Sequence, residues 1–170
     1  MMLVSVYIFL LLELLVVSYF DIKTRKISNN WSIFNVVIFI LLLFFFSDIY
    51  DLSWGTFFYS ICFFFVGFLL FIIKIMGGGD AKLLASLYLL IPPKLQEESF
   101  IALIYSTLLI GGGLLLYKLW IQRSAFKLAF ITQDFRRIKD LLGKKFPFSP
   151  VVLLAWLVWG ISHYFKLNFL

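Results

Sequence analysis

Charge is scarce in this chain, and two side chains common at reactive centres are nearly missing. Only 14% of the 170 residues are charged, against 63% hydrophobic and 21% aromatic, and the mean hydropathy is +1.03. A globular domain of this length needs a polar shell that so few charges cannot supply. Cys62 is the sole cysteine, which excludes an intrachain disulfide and a cysteine-rich zinc site. His163 is the sole histidine and lies close to the C-terminus, which argues against a histidine metal centre or a serine–histidine triad. The first apolar stretch lacks the basic flank and small-residue cleavage site of a secretory signal, so it is expected to be retained. The net charge of +6 does not come as basic residues interleaved into a binding face, and no nucleic-acid partner is expected.

What is present is apolar sequence in runs of membrane-spanning size, so lipid is the expected solvent for most of the surface. Six spans can be drawn, at residues 3–20, 31–46, 54–75, 81–91, 100–121 and 150–165. The expected fold is an all-α membrane protein, a bundle of about six transmembrane helices, with residues 1–170 as one domain. The fourth span is short for a hydrocarbon slab about 30 Å thick. Of the fifteen Lys and Arg, only Lys94 and Lys166 fall outside the loops following spans one, three and five and their edges. The positive-inside rule then places both termini outside and those loops in the cytoplasm, as in a multi-pass protein of the cytoplasmic (inner) membrane. The basic segment 122–148 carries apolar residues at loose helical spacing over 126–142, which predicts an interfacial amphipathic helix. Trp31, Trp54 and Trp120 near span ends read as interfacial anchors.

Against this background a glycine run closed by an acid stands out: Met76-Gly77-Gly78-Gly79-Asp80-Ala81-Lys82-Leu83. No Gly-Lys-Ser/Thr follows, so it is not a phosphate loop. Asp80 can be read as a helix N-cap, with the glycines permitting a tight turn, or as a reactive carboxylate that an extended peptide can approach. Asp21 ends the first span, where the helix dipole disfavours its charge; its plainest reading is a solvated acid neutralised by Lys23 and Arg25. The topology nevertheless brings both acids out on one face, with Asp48 and Asp51 on the other. Two carboxylates held close share a proton, so that one activates a water while its partner donates to a carbonyl. The helix ends would then have Asp80 ionise and Asp21 keep the proton.

The segment Gly77-x-Gly79-Asp80-x-Lys82-Leu83 resembles the glycine-x-glycine-aspartate motif of the type IV prepilin peptidases, membrane-embedded aspartyl proteases. Asp21-Ile-Lys-Thr-Arg25-Lys-Ile27-Ser28-Asn29 is similar to their first catalytic motif, which continues into Ile-Pro-Asn; Ser28 stands here in place of the proline. Phe146-Pro147-Phe148-Ser149-Pro150 resembles the opening of their last helix. The resemblance implies Asp21 and Asp80 as the catalytic pair, with Gly77, Gly79, Lys82, Arg25 and Asn29 supporting or binding substrate. It also implies a prepilin-like substrate cut on the cytoplasmic side after a short basic leader, with no metal or organic cofactor. Longer relatives that also methylate the product carry an insertion with paired cysteines. This chain has one cysteine and a short first loop, so it looks like the peptidase-only members of tight-adherence pilus systems or the archaeal preflagellin peptidases. The alternative is a small transporter or channel subunit in which Glu13, Asp21 and Asp80 line an ion or proton path. Glu13 lies about 12 Å along the first helix from Asp21 and, as an intramembrane acid, faces the bundle interior, with a Ser, Thr or Tyr on a neighbouring helix as its expected partner. Gly111-Gly112-Gly113 permits close helix approach or bending.

Overall fold

The computed structural model describes residues 4–72, 76–132 and 148–165, and those residues are helical with short connections and no strand. The helices are α1 (Val4–Thr24), α2 (Asn29–Phe45), α3 (Trp54–Ile72), α4 (Gly78–Leu90), α5 (Pro93–Thr107), α6 (Gly113–Ile121), α7 (Arg123–Ile131) and α8 (Ser149–Phe165), with a π-helical turn at Leu108–Gly112. Helices α1 and α3 are long and apolar enough to cross a membrane, and α2 and α8 are apolar but shorter.

Local chemistry sets the breaks. Helix α1 stops where Arg25 turns left-handed (φ 53°) and its N–H bonds the Asp21 carbonyl at 2.8 Å, a conformation more usual for glycine. Ser28 then caps α2, its hydroxyl accepting from the Asn30 N–H at 3.3 Å, so serine starts this helix without the proline. Pro93 opens α5 at a position whose N–H needs no partner. That helix begins ahead of the expected fifth span because Lys94, Gln96, Glu97 and Glu98 hide it from a hydropathy reading.

The short fourth span has a packing reason. Helix α4 is about 20 Å long, yet eight of its thirteen residues are buried, so it is a central strut wrapped by neighbours. Helices α2 and α3 pack on α4, while α1 and α5 pack on α8, giving two three-helix halves. Gly67 of α3 sits so close to Ala81 that a Cβ there would lie 2.5 Å from the alanine methyl. Leu10 and Leu14 of α1 close against Leu87 and Tyr88 of α4 and Val152 and Trp156 of α8, joining the halves in one core.

The alternating chain direction gathers the end of α1 and the starts of α2, α4 and α8 at one end of the bundle. Asp48, Asp51, Glu97 and Glu98 lie at the other. There the Tyr50 hydroxyl donates to the Leu90 carbonyl at 2.6 Å, and Gln96 donates to the Thr56, Tyr88 and Ile91 carbonyls. His163 stacks on Trp159 and lies 3.3 Å from Glu98 Oε2, tying α8 to α5. Gly111, Gly112 and Gly113 do not serve helix packing: a Cβ at any of them would meet nothing within 4 Å. They lie instead in and after the π-helical turn. Trp54 and Trp120 are exposed, as anchors require, whereas Trp31 is half-buried against the core. Helix α7 covers the start of the basic segment; its residues 133–147, which include the expected amphipathic stretch from 133 to 142, lie outside the described residues.

Candidate active site

Asp80 is the third residue of α4. Its Oδ2 accepts from the Gly77 N–H at 3.0 Å, closing the first turn of the helix on itself. The acid therefore caps its helix, although from inside the first turn and not at the N-cap position. Gly77 suits that fold-back, since a Cβ on it would lie 2.7 Å from Asp80 Oδ2 and the carboxylate would have to shift. Gly79 meets a different neighbour: its Cβ would lie 2.8 Å from the Ile27 carbonyl oxygen and 3.0 Å from Ile27 Cβ. The start of α4 is thus seated on the backbone of the turn that follows Asp21. One helical turn on, Lys82 Nζ donates to Asn29 Oδ1 at 3.2 Å, a second link between the same two segments. Lys82, Asn29 and Arg25 are exposed.

Asp21 is 4% exposed, so it is not the solvated acid neutralised by Lys23 and Arg25 that its sequence context suggests. Its burial has a cause on the far side of the chain. The Ser149 N–H, in the first turn of α8, donates to Asp21 Oδ2 at 3.2 Å. An amide at a helix N-terminus therefore faces each carboxylate. The end of α1 alone would set the two acids apart, but with such an amide on each carboxylate the helix ends no longer distinguish them. The prolines mark the start of α8 in the sequence, but nothing there marks the Ser149 amide as a partner for Asp21, because a backbone donor leaves no trace in residue identity. Phe146 and Pro147 lie outside the described residues.

An apolar cleft of about 290 Å³ opens between α3 and α5, with Met76 and Leu84 on the α4 side and Phe148 on the α8 side. Glu13 is buried within the bundle and faces Asn35 of α2, not the serine, threonine or tyrosine expected for it. Among the described residues no three His, Cys, Asp or Glu side chains gather as a metal site needs.

Fold and site together define an apolar helical protein with two carboxylates at one end of its bundle, groups suited to general acid–base chemistry. The chain belongs to the type IV leader peptidase family, whose model matches residues 8–116. That stretch holds Asp21, Arg25, Asn29, Gly77, Gly79, Asp80 and Lys82, and stops short of α8. No curated protein and no solved structure matches the chain significantly. Family membership makes the protein a peptidase of the leader-peptidase kind, and the apolar helices agree with a membrane protein.

Proposed function

We propose that the protein is a membrane-embedded aspartyl endopeptidase that removes a short basic leader from prepilin-like substrates, using Asp21 and Asp80 and one activated water. The observation that carries the reading is the seating of α4 on the turn after Asp21, through Gly79 against Ile27 and Lys82 against Asn29. Those contacts join the two acid-bearing segments, which lie far apart in the chain. One carboxylate takes a proton from water as it attacks the scissile carbonyl, and the protonated partner donates to the developing oxyanion. Neither step needs a metal or organic cofactor.

Arg25 and Asn29, exposed in and just after the turn that follows Asp21, would meet the leader, and the apolar cleft from Met76 to Phe148 suits the hydrophobic part of the substrate. Six membrane-spanning segments, counting α5 and α6 as one, with both termini outside, would put this end of the bundle in the cytoplasm, following the distribution of Lys and Arg. The test is incubation of the purified, reconstituted protein with a leader-bearing pilin-like substrate, followed by intact-mass analysis. One cut at the leader junction, unchanged by chelators, is the expected result. Intact substrate, or proton or ion flux through the reconstituted protein, would overturn the assignment.

A further inference from the structure

Asp21 and Asp80 belong to different halves of the bundle, α1–α5–α8 and α2–α3–α4. Their relative position therefore depends on what crosses between the halves. Glu13 lies on the crossing surface, two turns inside α1 from Asp21, and is 5% exposed. Both of its carboxyl oxygens are closed to solvent and neither has a hydrogen-bond partner. The group it faces is Asn35 of α2, itself fully buried. The Asn35 Nδ2 donates to Ser86 Oγ of α4 at 3.3 Å, and Ser86 Oγ donates to the Leu83 carbonyl at 2.9 Å. Asn35 Oδ1 is left without a donor. The Glu13 carboxyl and Asn35 Oδ1 are thus buried acceptors on neighbouring helices with no donor in place for either. A charged carboxylate among apolar helices has no compensation there, whereas a carboxylic acid supplies the missing O–H.

We propose that Glu13 is a positioning residue: as the neutral acid it donates to Asn35 Oδ1 and completes a bridge Glu13–Asn35–Ser86. The bridge holds α1, with Asp21, against α4, with Asp80. It lies about two turns below Asp21 and about two below Asp80, and at the far end of the bundle Gln96 ties the halves independently through the Thr56 and Tyr88 carbonyls. The inference rests on the reading of Asp21 and Asp80 as the reacting pair. Glu13 touches no reacting atom; it sets the distance over which the pair must cooperate.

The test compares Glu13→Gln and Glu13→Leu in the reconstituted cleavage assay. The glutamine amide donates to Asn35 Oδ1 as the acid does, so E13Q should cut within about twofold of wild type. E13L removes the donor, and kcat should fall about ten- to a hundredfold with KM nearly unchanged, the signature of misplaced reacting groups. Should E13L fail to accumulate, the double variant Glu13→Leu/Asn35→Leu removes both the carboxyl and Asn35 Oδ1, leaves Ser86 Oγ its bond to the Leu83 carbonyl, and should fold while showing the same loss of kcat. A loss in E13Q as deep as in E13L would overturn the proposal, because the carboxyl itself would then be needed. Wild-type kcat in E13L or in the double variant would also overturn it. Asp21→Asn and Asp80→Asn run alongside: cutting by either defeats the acid-pair reading, a failure distinct from any outcome at Glu13.

Discussion

Replacing Gly79 by alanine adds one methyl group at the place where α4 meets the turn after Asp21. The new Cβ would lie 2.8 Å from the Ile27 carbonyl oxygen, about 0.6 Å inside ordinary contact distance, with Ile27 Cβ at 3.0 Å behind it. Both obstacles belong to or adjoin backbone, so no side-chain rotation relieves the clash and the two segments must part. Overpacking of this kind costs about 1–3 kcal/mol. A displacement of about half an ångström at reacting groups lowers kcat roughly tenfold, given about a hundredfold for a full ångström. Gly78→Ala is the matched control, because its Cβ would touch only the Phe71 ring at 3.4 Å, a side chain that can yield. The assay is leader cleavage under single-turnover conditions with thermal unfolding measured on the same samples. G79A cutting at the wild-type rate, with G78A no better, would refute the claim that this contact sets the site.

Ser28→Pro introduces the residue usual at this place in similar enzymes. Ser28 already has φ −69°, so the ring fits, and the lost cap on Asn30 is offset by reduced unfolded-state freedom; unfolding should shift by less than about 1 kcal/mol with cleavage intact. Lys82→Ala removes the bond to Asn29 but neither acid, and should slow cleavage by about threefold to tenfold without abolishing it, as read by kcat/KM. Asp51 lies at the opposite end, where the Ser53 and Thr56 hydroxyls hold its carboxyl below the ordinary carboxylate range. Its folded-state value is depressed, so its contribution is present above the unfolded pKa and lost as pH falls through the folded one. Asp51→Asn should therefore flatten the acid limb of the stability–pH curve and leave cleavage at neutral pH unchanged.

The helices around Asp21 and Asp80 were readable because periodicity and hydropathy report burial and length directly. Both acids were legible as polar residues at the ends of apolar runs, and the order of the chain was enough to put them at one end. What could not be read is which atoms meet there. Ile27 gives no sign that its carbonyl is the floor for Gly79, and Ser149 gives none that its amide reaches Asp21. Backbone groups are common to every residue, so composition is blind to them. Asn35 was a missed signal: an amide in the middle of an apolar span must find a partner, and with Ser86 it could have been set against Glu13. Gly111, Gly112 and Gly113 leave close packing and bending equally open in the sequence; among the described residues a Cβ at any of them meets nothing within 4 Å, and they lie in and just after a π-helical turn.

The most direct measurement is the single-turnover rate at which Asp21→Asn and Asp80→Asn, each purified and matched to wild type in thermal unfolding, release the leader from a pilin-like substrate. No product is expected from either variant over times in which wild type converts all of it. Full conversion by one of them would contradict the claim that the two carboxylates work as a pair.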